Sequence, residues 1–461
     1  MKKVFFYIIG IAVAVFAASL LGLSPKQLVA VAGFSSIFFG AIFFWHWRLT
    51  FAFFGISFLM AAGLIDVPHV IEFAGIDIIL FLVGMMTVIG YLEEKSFFEH
   101  LINKIIKLVG ADGRLLMILF MVLSCIFAAL VDEVTSILFM SAAMLGITSR
   151  HKLNPVPFII MIVFATNVGS SATVVGNPIG VIIALRSGLT FTDFLRWAAP
   201  ISIAVLAMTI TLFLLYYAKP IRRLHEVLHE HERRIFDEPG GEKKFRRGIV
   251  LSGALFALVM LGLLLHVHIE HMLGLEKNTM LLGIALIGGA VALFLSRDGA
   301  RNIIERRIDW WTLCFFLFLF ASVGTLKYQG ITGVVASKIA GVAGNNVPLL
   351  MGICVWASGA LTSVMDNVLA VSTFIPIIKD IGSSGIQTFP LWWSILFGST
   401  LLGNLTIIGS TANIVAVGLM EKRKLGTVSF MEWLKVGIAI AIPQLILAHL
   451  LLLAQLKYMP K

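Results

Sequence analysis

Long apolar runs separated by short polar breaks fill this chain from end to end. The runs at 4–21, 251–265 and 438–453 approach the roughly 20 apolar residues with which a helix spans a bilayer. On that pattern we predict spans near 4–23, 27–46, 49–65, 76–92 and 198–218, and then near 249–268, 279–296, 309–327 and 430–456. Four longer runs do not fit one plain helix. The segments 115–131 and 134–149 share a single polar break at Asp132-Glu133, and 347–380 has one at Asp366-Asn367. Each reads as a helical hairpin that enters and leaves by one face, with carboxylates at its tip. Such irregular backbone is tolerated at membrane depth only where protein buries it or water reaches it. The runs 155–185 and 391–419 are interrupted at 169–178 and 403–413 by Gly, Pro, Ser, Thr and Asn. These read as discontinuous helices with unwound centres. Polar stretches at 93–114 and 330–345 read as interfacial.

The order of these elements repeats. Asp132 and Asp366 stand 234 residues apart, since 366 − 132 = 234. At the same stride Gly90 matches Gly324, Leu92 matches Leu326, Lys104 matches Lys338, Gly110 matches Gly344 and Val134 matches Val368. Thr173-Val174-Val175-Gly176 and Thr406-Ile407-Ile408-Gly409 match at 233. Duplicated apolar halves, each with a broken polar segment, are the sequence pattern of secondary transporters.

Composition agrees. The chain has 461 residues, 59% hydrophobic and 13% charged, with mean hydropathy +0.99, against about 25% charged in a soluble domain. Its net charge is +10. The basic residues cluster between spans, which fits cytoplasmic loops and gives no reason to expect nucleic acid as a partner. The Lys/Arg bias places Lys2-Lys3, Arg48, 95–114, 219–247, 297–307 and 422–424 inside, and the acidic loop 66–77 outside. The expected fold is therefore an all-α polytopic membrane protein of two inverted repeats and about eleven crossings. Residues 1–26 form an extra first helix, retained and not cleaved as a signal peptide. Residues 27–218 are the first repeat, 219–247 a cytoplasmic charged linker and 248–461 the second repeat. The expected location is the plasma (inner) membrane, with the N-terminus cytoplasmic.

Ionisable groups inside apolar segments mark ion or proton pathways. The hairpin tips supply Asp132, Glu133 and Thr135, set to face Asp366 and Asn367. Their oxygens suit a small cation such as Na⁺, or one carboxylate shuttles protons. The same carboxylates would also cap the helices that follow them. The breaks supply Asn167, Ser170, Ser171, Thr173 and Asn177, and then Asn404, Thr406, Ser410, Thr411 and Asn413. Unwinding frees backbone groups, and half-helix ends carry partial charge for an ion or polar solute. No Lys or Arg stands beside either tip in the sequence, so the site is expected to be acidic.

Two histidine patterns compete for attention. His225-Glu226-Val227-Leu228-His229 has the spelling of a zinc-protease helix, but it lies in a short charged linker that lacks the segments to build a cleft. His266, His268 and His271 read as a solvated group at the end of a span. The isolated Cys125, Cys314 and Cys354 read as small core hydrophobes.

Leu130-Val131-Asp132-Glu133-Val134-Thr135 resembles the hairpin motif of the ion transporter superfamily, in its ArsB/NhaD branch, which also holds the pigment-cell P-protein. Met365-Asp366-Asn367-Val368 repeats that motif. The segments 173–178 and 406–413 resemble its two unwound-helix motifs, so the likeness covers about residues 27–456. The resemblance implies secondary active transport with alternating access, and members suggest a homodimer. Relatives carry arsenite or antimonite, exchange Na⁺ for H⁺, or move dicarboxylates and sulfate. The dicarboxylate branch has Ser-Asn-Thr at both tips, where this chain has Asp132-Glu133-Val134 and Asp366-Asn367-Val368. That counts against an anionic carboxylate as solute.

The expectation is a non-enzymatic transporter of a small ion or solute, driven by H⁺ or Na⁺ and needing no cofactor. An arsenite/antimonite or sodium–proton antiporter comes first. A sodium-coupled anion symporter is the alternative, and a membrane zinc hydrolase using His225, Glu226 and His229 a remote one.

Overall fold

The computed structural model describes residues 2–102, 112–230 and 242–460. Among them there are helices and no strand. The first half holds α1 (Lys2–Leu20), α2 (Pro25–Phe43), α3 (Arg48–Ala61), α4 (Val67–Phe73) and α5 (Ile76–Glu94). It continues with α6 (Gly113–Leu130), α7 (Glu133–Arg150), α8 (Val156–Ser170), α9 (Pro178–Ser187) and α10 (Ala199–Tyr216), and α11 (Ala218–Glu230) follows. The second half holds α12 (Glu242–Leu273), α13 (Thr279–Ser296), α14 (Ala300–Arg306), α15 (Trp310–Tyr328) and α16 (Ile331–Ala343). It ends with α17 (Val347–Thr362), α18 (Asn367–Ser383), α19 (Phe389–Leu402), α20 (Thr411–Lys422) and α21 (Phe430–Gln455).

Local chemistry sets the ends. Ser24 and Gln27 form a reciprocal capping box on α2, with Pro25 at its first position. Gly75, at φ 65°, turns the chain into α5. The proposed matches at Lys104 and Gly110, and the linker residues 231–241, lie outside the described residues. The described part of the linker is helical, in α11 and the start of α12.

The halves exchange partners. First-half α5 packs on second-half α13, while second-half α15 packs on first-half α3. Likewise α4 lies on α15 and α14 on α5. Gly90 sits against Arg307, and Gly324 against Phe73. Both members of that second pair are 234 residues from their counterparts. The core sits on α8 and α19, where every residue but Pro157 and Phe389 is buried. The α1 helix instead exposes Phe5, Phe6, Ile8 and Phe16, an apolar face of the kind that lipid covers.

Nine helices among the described residues are long and apolar enough to cross a membrane, by length and composition. They are not the eleven runs that the hydropathy pattern picks out. The hairpin arm α6 qualifies, whereas α3, with 14 residues, does not. The broken helices fall short because each is two pieces, of 15 and 10 residues in α8 and α9 and of 14 and 12 in α19 and α20.

Two expectations about polar residues need correction. His266 is not solvated: it is fully buried, with Nδ1 against the Leu263 carbonyl at 2.7 Å. Arg48 is not a loop cation. It is only 7% exposed, stacks 4.0 Å from the Trp45 ring centre and donates to Thr312 at 2.6 Å. Its long stem and flat guanidinium pack on aromatic faces, so it stays in the protein and not in the loop.

Candidate transport site

Both hairpins are built from consecutive packed helices, α6 with α7 and α17 with α18. Each second arm begins at a carboxylate. Asp132 Oδ1 accepts from the Val134 and Thr135 backbone N–H groups, both at 2.8 Å. Asp366 Oδ1 accepts from the Val368 N–H at 2.9 Å, and its Oδ2 accepts from the Thr411 hydroxyl at 2.8 Å. A carboxylate is favoured there because the first turn of a helix offers unpaired N–H groups and partial positive charge.

The tips meet, but through a different residue than the symmetric reading expects. The contact is carried by Glu133. Its carboxyl faces the Asn367 and Ser170 side chains and lies in Coulombic range of Asp366 and Asp132. Asp132 also lies in Coulombic range of Glu93, which is paired with Arg307 at 2.9 Å. The expectation that no basic group offsets the tips also fails, because the buried Arg48 guanidinium lies in Coulombic range of Asp366. Arg48 is remote in sequence from both tips, so only the fold reveals the proximity.

The two breaks share one construction. Gly176 lies so close to the Ser170 carbonyl that a Cβ would stand 2.5 Å from its oxygen, and Gly409 meets the Gly403 carbonyl in the same way. Thr173 donates to the Ala129 carbonyl, and Thr406 to the Ser363 carbonyl at 2.5 Å. Each unwound segment is thereby tied to the tip of the hairpin in its own half. Beyond the breaks, Asn177 caps α9 through the Gly180 N–H at 2.8 Å, and Ser410 caps α20 through the Ala412 N–H at 3.2 Å.

One buried network crosses between the halves. Asn167 Nδ2 donates to Asn404 Oδ1 at 2.6 Å and to Asn413 Oδ1 at 2.9 Å, while Ser410 donates to Asn167 Oδ1 at 3.1 Å. Asn413 holds the second break open by donating to the Gly403 and Thr406 carbonyls, both at 2.9 Å. The first break is closed locally, by Asn177 on Ser170 at 3.0 Å.

Of the predicted residues, then, Asp132, Glu133, Ser170, Asp366, Asn367 and Thr411 gather at the tips. Asn167, Asn404, Ser410 and Asn413 gather between the breaks. Thr173 and Thr406 act as tethers, Thr135 contributes its backbone N–H to the Asp132 cap, and Ser171 turns away to Ser202 at 3.0 Å. Sequence reasoning missed Gln444 and Thr209. Gln444 links Asn404, at 3.4 Å, to Thr209, at 2.7 Å. An amide in the middle of the apolar run 430–456 was the available signal.

The zinc-like pattern lies elsewhere. On α11, His225 faces Asp112 at 3.4 Å, and its ring meets that of His229. Among the described residues no three His, Cys, Asp or Glu side chains gather to hold a metal.

A family profile described as "CitMHS: Citrate transporter" matches residues 38–398. The chain belongs to this family. It is thus a membrane transporter of the ion transporter superfamily, as the tip and break motifs suggest. An uncharacterized transporter of Mycobacterium tuberculosis is 30% identical over 408 residues, covering 85% of this chain and 90% of that protein. The P protein of Homo sapiens is 24% identical, over 81% of this chain and 52% of its own length. Among solved structures, the YdaH transporter of Alcanivorax borkumensis, whose topology is described as unusual, shares the fold with TM-score 0.61. It is 16% identical and covers 88% of this chain and 89% of that one.

Proposed function

We propose that this integral membrane protein is a gradient-driven secondary transporter of the arsenite/antimonite or sodium–proton type. The solute lies between the two unwound segments, and the driving H⁺ or Na⁺ is held at the hairpin tips by Asp132, Glu133 and Asp366. The observation that carries this reading is the buried bridge from Asn167 to Asn404, Asn413 and Ser410. A polar network inside an apolar protein is costly unless fully paired. Here it joins the two segments where a helix would otherwise continue, and it stands beside buried carboxylates.

Each half then contributes five crossings and one re-entrant hairpin, opposite in orientation, with α1 as an eleventh crossing. The N-terminus is cytoplasmic, in an inner membrane. Alternating access is a movement of the hairpins and broken helices against the α5–α13 and α3–α15 pairs. Partner copies, where present, form a homodimer.

A second reading, cation-coupled uptake of a citrate-like anion, is favoured by the family's description and by Arg48 beside Asp366. The test is uptake into reconstituted vesicles under imposed pH and Na⁺ gradients, with arsenite, Na⁺, citrate, succinate and sulfate as solutes. Asp132→Asn and Asp366→Asn are expected to lose gradient dependence. If both kept it in full, Asp132 and Asp366 would not hold the driving ion.

A further inference from the structure

Glu133 sits only 2% exposed at the meeting point of the two hairpins, and its Oε2 has no hydrogen-bond partner. Asn367, which it faces, is 1% exposed, and its Oδ1 is also unpartnered. Two orphaned acceptors thus stand in one buried place, contributed by opposite halves. An acceptor left unpaired in such a buried site is destabilising. One proton on the carboxyl would cure both, since a protonated carboxyl donates one bond and an amide oxygen accepts it.

The other two carboxyl groups of the site already accept hydrogen bonds. Asp132 accepts two backbone N–H bonds, and Asp366 accepts one N–H and the Thr411 hydroxyl. The basic groups nearby face other partners. Arg48, from α3, faces Asp366 and Asp309, and Arg307, after α14, pairs with Glu93 of α5. From α8 Glu133 meets only the neutral Ser170, and from α18 Asn367 and Asp366.

We propose that Glu133 is the proton carrier of this site: protonated, its carboxyl donates to the Asn367 side-chain oxygen and latches the two hairpin tips together. Deprotonation passes the proton to water. It leaves the Glu133 carboxylate facing Asp366 and Asp132, and the latch opens by like-charge repulsion. This names the coupling ion within the transport reading above and rests on it for its physiological meaning, although its test does not require transport.

The measurement is a pH titration of purified protein in lipid nanodiscs, followed by infrared difference spectroscopy of the carboxylic C=O stretch. A protonated-carboxyl band that fades as pH rises is expected in the wild type, in Asp132→Asn and in Asp366→Asn. It is expected to be lost in Glu133→Gln and kept, displaced, in Glu133→Asp. Asn367→Leu should move the band to the frequency of a carbonyl free of hydrogen bonding, which a merely structural Glu133 would not do. A full band in Glu133→Gln would overturn the proposal, as would a band that Na⁺ erases at fixed pH. Failure of every vesicle uptake assay with the band intact would count against the transport reading and leave the protonation of Glu133 standing.

Discussion

The two tip-and-break units share their scaffold and differ in their polar inventory. On the scaffold side, Gly176 matches Gly409, Thr173 matches Thr406, and each threonine ties to its own hairpin tip. On the polar side, the first tip carries two adjacent carboxylates, Asp132 and Glu133, where the second carries a carboxylate and an amide, Asp366 and Asn367. The first break closes on itself through Ser170 and Asn177, while the second reaches across the molecule through Asn404, Ser410 and Asn413. The difference teaches that what is repeated is backbone geometry. What is not repeated is charge and hydrogen-bond direction: adjacent carboxylates stand on the first tip alone, and the second break brings three side chains to the single Asn167 of the first.

The largest effect is expected where the second break crosses to the first. Asn167→Ala strips Asn404 Oδ1, Asn413 Oδ1 and the Ser410 hydroxyl hydrogen of their shared buried partner, at roughly 1–3 kcal/mol for each atom left unpaired. Uptake should be abolished and thermal unfolding in detergent should fall sharply. Ser171→Ala removes only a local pair with Ser202 and the Val168 carbonyl, so it should cost about 1 kcal/mol and leave uptake measurable. Equal damage from the two substitutions would erase the contrast between a local and a crossing break.

Next come the glycines, where the halves should behave alike. Gly176→Ala and Gly409→Ala each drive a methyl into a backbone carbonyl that cannot move without unwinding its neighbour. Overpacking of this kind costs about 1–3 kcal/mol, and both variants should lose stability and uptake together. A severe defect at one and silence at the other would show that the breaks are not built the same way.

How far the sequence discloses this is clearest from particular residues. The break residues and tip carboxylates could be named because polar or helix-breaking residues inside an apolar run have few physical excuses. Their positions 233 and 234 apart linked the two sets. The meeting of the tips through Glu133 and not Asp132 could not be read, because adjacent residues at a helix start point in different directions and the linear pattern carries no angle. Arg48 was misplaced for a related reason. The Lys/Arg bias treats every basic residue near a span end as solvated, and Trp45 and Phe315 provide a buried aromatic alternative. Nine single helices reach spanning length where hydropathy picks out eleven runs, because hydropathy joins pieces, such as α8 with α9, that backbone geometry separates.

Arg48 gives an intermediate test of the asymmetry. It acts on the second tip, so Arg48→Met should lower uptake about tenfold, equivalent to ~1.4 kcal/mol, and Arg48→Lys should recover part of it. The infrared signature at Glu133 should survive in both, since Arg48 faces Asp366. Loss of that signature in Arg48→Met would mean that the two tips share one charge balance and do not divide the work.

The smallest effect is expected at Asp112, at the end of α6 opposite its tip. Asp112 accepts from the Leu115 and Arg114 backbone N–H groups at 3.1 and 2.8 Å. Those bonds, the Leu115 one foremost, hold its carboxyl below the ordinary carboxylate range. A carboxyl whose value is lowered in the folded state stabilises it at pH above the ordinary value of about 4, and the gain vanishes as pH falls through the lowered value. Asp112→Ala should therefore cost about 1 kcal/mol at neutral pH, as a lost helix cap does, and progressively less in acid. Uptake should be unchanged, as it should be in His225→Ala, whose ring faces the same carboxylate. A gap in melting temperature between Asp112→Ala and wild type that stayed constant down to strong acid would show that α6 is held by hairpin packing alone. The tip-to-tip contrast would then have to be explained without a fixed outer end to that arm.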